Sequence, residues 1–501
     1  MARSWGLLTG VTLATLCVGV ASSSAWADAL AFNNNDGSWV QLTSVDAAVT
    51  NVADQYGYPP PPICACTTAI NYQYYDQYVQ EQIRETQLDI TDVLNFLKTK
   101  ANVTVLYNAQ NQIQYVIVTP FGSTATTTTS SPLGVLLSRI SSLETTNPTL
   151  FNTTLAILGQ SSDTSMAKAA AQLQPVTNGA TTQASLAAAS QALGTIQAHN
   201  DSLRTADAVT GASAGDEMLG LTTWAQAFGA MNSQGSRDGV DGYDSRSWGF
   251  AAGADTAVLA NLRLGLSLAQ AFSHVDDTGS RDGSGLRINS TIASLYGNYG
   301  ADHWYADSSL SYGWHATDST RLIAVPGTAI QVANASFTAH QIEAKTEVGA
   351  PLSLGTSLGL ATMTPLVSLD YAHFHQPGYT ESGAAADLTM SSMDTDSIRT
   401  GLGGKAALPF HTENGWEIKP SVKAVWLHEY NGKAQTQTSS YASGGASFST
   451  SGAKPGLDHA DLGLGLDLDN RQGMRLSLKY DADLADRYWG NSGTLQVTVD
   501  F

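Results

Sequence analysis

Residues Gly493-Thr-Leu-Gln-Val-Thr-Val-Asp-Phe501 place Leu495, Val497, Val499 and Phe501 in strict alternation with Thr494, Gln496, Thr498 and Asp500. A period of two sends all four apolar groups to one face of a β-strand and all four polar groups to the other. The same alternation recurs upstream. Met474, Leu476, Leu478 and Tyr480 alternate with Arg475, Ser477, Lys479 and Asp481, and Leu462, Leu464, Leu466 and Leu468 with Asp461, Gly463, Gly465 and Asp467. Trp416, Ile418, Val422, Ala424 and Trp426 alternate with Glu417, Lys419, Ser421 and Lys423. Strands of soluble proteins mostly run to about 5 to 6 residues. These runs reach about 9 to 11 or more, the length of a tilted strand that crosses a bilayer.

Composition agrees with that reading. The chain has 501 residues, 13% of them charged, 46 glycines and a formal net charge of -19. Low charge without long apolar runs suits strands that face lipid on one side and a polar lumen on the other. The acidic balance excludes a nucleic-acid partner, because phosphate binding needs concentrated Lys and Arg.

The first 27 residues read as a secretory signal peptide. Arg3 precedes the apolar run Gly6 to Ala21, and Ala25-Trp26-Ala27 forms an A-x-A cleavage site ahead of Asp28. Beyond residue 27 no apolar segment approaches the roughly 20 residues of a spanning helix, so residence in a membrane falls to strands. Two cysteines follow, Cys64 and Cys66. They are too close to close a large disulfide loop, and without neighbouring histidines they do not complete a zinc site.

Residues 28 to 164 differ in character from the rest. Pro59 to Pro62 is a polyproline spacer, Tyr72 to Lys100 is spaced as a helix, Val103 to Leu106 and Gln114 to Val118 read as strands, and Ser123 to Ser131 as a Ser/Thr linker. All ten histidines lie at or after His199. No Ser-His-Asp or Cys-His set can therefore be assembled within this region. Glu81, Glu85, Asp89 and Asp92 recur at three or four residues and form one solvated helix face. Residues 165 to 215 are rich in Ala and Gln, with helical segments at Met166 to Gln174 and Gln183 to Leu203 broken at Pro175 to Gly179. Such a slim helix suits the inside of a narrow polar pore.

From residue 216 the pattern predicts twelve strands, at 222–231, 246–257, 261–272, 287–299, 302–314, 335–349, 358–374, 394–408, 415–430, 457–468, 472–482 and 492–501. An even number closes an antiparallel barrel without an exposed edge. Connections after even strands are short; those after odd strands, such as Asn232 to Ser245, His315 to Asn334 and Asn431 to Gly456, are long. Aromatic residues near strand ends, among them Trp224, Phe228, Trp248, Tyr296, Trp314, Trp426 and Tyr430, are expected at the two headgroup levels. Charges predicted to face the lumen are Arg263, Glu343, Lys345, Glu347, Lys419, Lys423, Arg475 and Lys479.

The fold expected is an all-β transmembrane barrel of about twelve antiparallel strands with an α-helical linker threading its pore and a small mixed region before it. This order of parts resembles the monomeric, type V autotransporters over about residues 166 to 501. The resemblance is carried by Gln172-Leu-Gln-Pro-Val-Thr-Asn-Gly-Ala-Thr-Thr-Gln-Ala184, Ala192-Leu-Gly-Thr-Ile-Gln-Ala-His-Asn-Asp-Ser-Leu-Arg204, Trp224-Ala-Gln-Ala-Phe-Gly229, Gly242 to Asp255, and Tyr480-Asp-Ala-Asp-Leu-Ala-Asp-Arg-Tyr488. It implies insertion in the outer membrane of a Gram-negative bacterium by the barrel-assembly machinery with periplasmic chaperones, for which Leu495, Val497, Val499 and the aromatic Phe501 are the recognition feature. It also implies export of a passenger, residues 28 to 164, to the cell surface, with the helix left in the pore. Unlike many family passengers this one is short and not obviously repetitive, and Asn200-Asp201 lacks the paired asparagines of self-cleaving members, so the passenger is expected to stay attached.

Two other readings stand beside it: an outer-membrane channel or porin-like barrel with an N-terminal periplasmic or plug domain, and a surface enzyme. No catalytic, cofactor or metal set is identified. The acids Asp238, Asp241 and Asp244 depart from the spacing of a calcium-binding EF-hand loop. The sequence leaves the ligand of the passenger unknown.

Overall fold

A computed structural model of the chain describes residues 31–33, 39–41, 101–107, 113–120, 132–137, 140–158, 163–210, 221–356, 359–412, 415–470 and 474–500. Ala25, Ala27, Asp28, both cysteines, the predicted helix at 72–100, the Ser/Thr linker and Phe501 lie outside the described residues. The strand pair expected at 103–106 and 114–118 is present as Ala101–Tyr107 paired antiparallel with Ile113–Pro120.

Among the described residues twelve long strands follow: β1 (Leu221–Gln234), β2 (Tyr243–Leu259), β3 (Leu262–Asp277), β4 (Gly285–Gly300), β5 (Tyr305–Ile323), β6 (Gln331–Gly349), β7 (Gly359–Gln376), β8 (Met393–Ala407), β9 (Glu417–Glu429), β10 (Asp458–Asp469), β11 (Met474–Ala485) and β12 (Tyr488–Asp500). Each pairs with the next, and β12 pairs back onto β1 from Tyr488↔Gln234 to Asp500↔Thr222. The sheet is closed, so its backbone groups are satisfied within lipid. Outward positions carry Leu266, Leu295, Leu310, Val367, Leu402, Val422, Leu464, Leu478 and Leu495, all exposed, while inward positions such as Ser290, Ser311, Thr317, Gln496 and Thr498 are buried. Apolar outside and polar inside is the arrangement of a lipid-facing barrel.

Two expectations need correction. Trp224, Phe228 and Tyr296 point into the lumen, buried, and not to the headgroup levels, whereas Trp248, Trp314, Trp426 and Tyr430 are exposed on the outer wall. The inward three lie flat across glycines directly opposite in register, Trp224 on Gly253, Phe228 on Gly249 and Tyr296 on Gly265, where a Cβ would sit only 2.4–2.5 Å from the ring. The second correction concerns loops. Of the long connections expected, 315–334 is mostly strand, leaving only 324–330 between elements, and 232–245 narrows to 235–242. Above the membrane the outer wall meets water, so these ladders continue without the apolar side chains that mark a strand in the sequence. The long connections are 377–392 and 430–457.

At this long-loop end sits a small helical cap. Helices α1 (Pro132–Leu137), α2 (Ile140–Thr146), α3 (Pro148–Leu158) and α4 (Asp163–Ala171), with the turn after them, contribute Leu133, Leu136, Leu143, Leu150, Phe151, Ile157 and, from the turn, Leu173 to a buried cluster with Ile323, Val325, Leu388, Met390, Tyr441 and Phe448 from the barrel's strand ends and loops. Those loops form their own four-stranded sheet, Tyr379–Thr380, Leu388–Met390, Thr436–Tyr441 and Phe448–Ser451. Arg321, 1% exposed at the end of β5, donates to Glu381, 3% exposed, through Nε (3.0 Å) and a terminal nitrogen (2.5 Å), and also to the carbonyls of Gln172 (2.6 Å) and Ala386 (2.8 Å). One guanidinium thus pins helix-bearing chain, loop and barrel together.

Candidate functional site

The lumen holds helix α5 (Ala180–Thr210). Its 31 residues, at about 1.5 Å each, span about 46 Å, enough to traverse the barrel. The helix starts where the sequence turns: Gly179 takes φ +82°, and the Asn178 side chain caps the Ala180 N–H (3.0 Å) while donating to Asp277 at the top of β3 (2.6 Å). Small residues then allow close approach. Ala188, Ala189, Ala192, Leu193 and Ile196 pack on Trp224, Phe228, Ala251, Ala269, Ile292 and Tyr296 of β1 to β4.

Lower down, the contact becomes polar. His199, fully buried, lies 2.6 Å by Nε2 from Asp255 Oδ2 and stacks on Trp224 at 5.3 Å. Asp255 also accepts from Arg263 (2.8 Å) and from the Tyr296 hydroxyl (2.9 Å), and Gln496 Nε2 stands 3.2 Å from His199 Nδ1. These roles fit the tautomer with the proton on Nε2, which donates to the carboxylate while Nδ1 accepts from the amide.

Two residues on, Asp201 accepts from Lys405 of β8 (3.1 Å) and Lys479 of β11 (3.3 Å), and pairs with Arg204. Arg204 donates to Asp307 of β5 (2.9 Å) and lies 3.7 Å over the Tyr305 ring; Lys405 reaches Glu347 of β6 (2.8 Å). Gln197 donates to both Asp307 (2.8 Å) and Glu347 (3.0 Å). Asp201, Asp307 and Glu347 bring carboxylate oxygens within 4.8 Å of one another, a grouping that suits a divalent ion in isolation. Here Arg204, Lys405 and Lys479 supply the three positive charges. Three carboxylates are thus paired with three cations, and the cluster ties helix α5 to β5, β6, β8 and β11.

Of the charges expected in the lumen, Arg263 and Glu347 take part in these two networks, and Lys479 reaches the helix. Glu343 is buried on β6 and accepts from Gln341 (2.8 Å). Lys423 pairs with Asp481 (2.6 Å) and Asp461 (2.9 Å). Arg475 is buried on β11, and Lys345, Lys419, Lys423 and Lys479 line a cavity of about 810 Å³ that remains beside the helix. Leu495 and Val497 face outward on β12, and Val499 pairs with Thr223 and Met474. In the loops, Asp241 accepts from Ser280 N (2.9 Å) and Asp238 from Lys454 N (3.0 Å), so the two are engaged by different loops.

Sequence reasoning passed over Asp201, His199, Asp255, Asp307 and Lys405. Asp255 and Asp307 share the parity of the inward residues on their strands, which was a usable signal. Lys405 stands among glycines and alanines that carry no parity, and a helix that is small and polar on all sides does not announce its contact face.

A family model described as Autotransporter beta-domain matches residues 223–481, just over half of the chain. Outer membrane protein B of Rickettsia prowazekii is 23% identical over 460 residues, covering 81% of this chain and 26% of that protein. An extracellular serine protease of Serratia marcescens is 24% identical over 279 residues, 56% of this chain and 26% of the relative. The chain thus spans about a quarter of the length of these curated relatives, and 13% of another, outer membrane protein A of Rickettsia rickettsii. Among solved structures, the translocator domain of the autotransporter NalP from Neisseria meningitidis is similar over 62% of this chain and 99% of that one, at 17% identity and a TM-score of 0.45. With a closed barrel, lipid-facing leucines and this family match over residues 223–481, the chain belongs to the autotransporters and resides in the outer membrane through its β-domain.

Proposed function

We propose that the barrel carries its own N-terminal region to the cell surface and keeps it there. In this reading residues 1–27 are a signal peptide cut between Ala27 and Asp28, residues 28–164 are the passenger, and residues 165–215 are the linker whose helix stays in the pore. The observation that carries it is the helix held in the lumen by two separate polar networks, His199–Asp255 and Asp201–Lys405–Lys479. A helix merely passing through would not be matched by charged partners on β2, β8 and β11. Insertion is assigned to the barrel-assembly machinery acting on the terminal strand, with Leu495, Val497, Val499 and Phe501 as its signal.

The passenger is given a binding role, adhesion being one form, in preference to catalysis. No histidine precedes His199 in the sequence, so the serine-protease chemistry in the name of one relative has no His to serve it here. The test is protease shaving of intact cells bearing an epitope after Asp28, with heat-modifiable gel mobility as the control for a folded barrel. Loss of the epitope with the barrel intact is expected. An epitope protected until the outer membrane is opened would instead make the N-terminal region a periplasmic plug. The cavity beside the helix favours, as a second activity, passage of small ions, which single-channel recording of the reconstituted full chain checks.

A further inference from the structure

We propose that the outer wall of the barrel binds one molecule of a phosphorylated glycolipid, whose phosphate is held by Arg246, His274 and Arg287. The three residues stand side by side on β2, β3 and β4, in the pairs Arg246↔His274 and His274↔Arg287. All three are exposed and share the outward parity of Trp248 and Phe250 on β2, Leu266 and Leu268 on β3, and Leu295 on β4. Among the described residues, every other lysine and arginine of the twelve strands points inward. The two arginines of the lipid-facing wall thus flank a single histidine, and neither the lumen networks nor core packing accounts for them.

The level of this row selects a lipid. One outward step nearer the bilayer, Trp248 and Phe272 face each other in register and stack at 4.6 Å, and Phe250, Leu268 and Leu266 continue below them. Aromatic rings mark the headgroup level, so the basic row lies at the height of lipid phosphates with an apolar wall for acyl chains beneath it. The row is at the long-loop end, which the proposed display of the N-terminal region makes the surface leaflet, and that leaflet is built of phosphorylated glycolipid. Two strand spacings put the Arg246 and Arg287 backbones about 10 Å apart, a gap that two extended guanidinium arms can close on one phosphate above His274. Guanidinium forks match phosphate oxygens bidentately.

The neighbouring acids leave the site open. Asp318, directly opposite Arg287, accepts from Ser336 (2.6 Å), and Arg287 makes no ion pair among the described residues. Asp276, the next outward residue of β3, meets Arg246 at 3.4 Å and His274 at 3.1 Å, but these side chains are between 48% and 67% exposed. Pairs so exposed are weak enough to yield to a ligand. Asp244 and Asp276 oppose each other one step farther from the bilayer. Carboxylates there accept sugar hydroxyls and repel a second anion, which favours a phosphorylated sugar over a plain phospholipid.

The experiment uses the full chain in detergent, freed of co-purified lipid and checked for heat-modifiable mobility. Native mass spectrometry measures retention of diphosphoryl lipid A, of lipid A with both phosphates removed, and of phosphatidylglycerol, and inorganic phosphate is added as a competitor. We expect one equivalent of diphosphoryl lipid A, held at least tenfold more tightly than either other lipid and not displaced by millimolar phosphate. R246Q/R287Q should weaken it at least tenfold and R287Q alone severalfold. K433Q/K454Q, which removes the same formal charge from exposed loop positions, should leave it unchanged. The proposal is overturned if the dephosphorylated lipid or phosphatidylglycerol is held as tightly, if inorganic phosphate displaces the glycolipid, if folded R246Q/R287Q and R287Q bind as the parent does, or if K433Q/K454Q causes the same loss. R287Q removes a side chain with no ion pair, so it keeps the test decisive even where the double variant fails to fold. Binding in detergent does not depend on which end of the barrel faces outward, so failure of the display reading in the shaving assay is distinguished from failure here.

Discussion

Replacing Glu381 by alanine should release the helical cap while sparing the barrel. The Arg321 and Glu381 side chains are 1% and 3% exposed, and the carboxylate also accepts from the Leu388 N–H at 2.8 Å. Its removal leaves a buried guanidinium facing only the carbonyls of Gln172 and Ala386. Breaking a buried pair from one side costs about 3 to 5 kcal/mol. At about 1.4 kcal/mol per tenfold, the docked-to-undocked ratio of α1 to α4 falls between about a hundredfold and a few thousandfold. The barrel ladders do not pass through Glu381, so the loss should stay local. Hydrogen exchange at α3 and protease cleavage within 132–171 read it, with heat-modifiable mobility of the barrel as the reference. The double variant Arg321→Met with Glu381→Leu removes both charges and should restore most of the protection. Exchange at α3 that is the same in Glu381→Ala as in the parent would refute the reasoning, for the ion pair would then not be what holds the cap.

Asp201→Ala strips the shared anion from Lys405 and Lys479, both about one-fifth exposed, and should cost about 2 kcal/mol after allowance for cavity water; a lower unfolding temperature in the gel-mobility assay and more frequent channel openings are expected. Gly253→Val would drive a side chain into Trp224, whose ring lies 2.5 Å from the position of a Cβ, costing about 1 to 3 kcal/mol and slowing assembly of the folded form. Burial raises the ionisation of Tyr441, whose neutral hydroxyl donates to Pro132 O at 3.1 Å in the cap. A raised acid favours the docked state at pH below the free phenol value of about 10 and loses that contribution as pH climbs past it. Cleavage of the cap should therefore accelerate above about pH 10, and Tyr441→Phe should flatten that rise.

The barrel was legible because lipid enforces it. Within the bilayer each outward residue must be apolar, so Leu462 to Leu468 and Leu495 to Val499 declare their strands by parity alone, and all twelve strands fall close to where alternation places them. Above the bilayer that pressure is absent, and the extensions 315–323 and 331–334 read as loop although their ladder is continuous. The cap was illegible for another reason. Leu133, Leu150 and Phe151 bury themselves against residues more than a hundred positions away, such as Ile323 and Tyr441, and no local period encodes such a partner. The lumen site was half legible: strand parity pointed to Arg263, Glu347 and Lys479, while Asp201 and Lys405 depended on how a helix of small residues happens to be rotated.

Helix α5 is joined to β1 through residues 211–220 of the same chain. The stopper is therefore tethered to the pore it fills, and rebinding after any excursion is intramolecular, at an effective concentration in the millimolar range for so short a connection. Dilution cannot remove it. In the proposed reading, cleavage ahead of the cap, before Pro132, would release the chain N-terminal to the cut yet leave the opening occupied, since Asp201, His199 and their partners all lie on the retained side. Loss of that exported part and integrity of the permeability barrier would then be separate events.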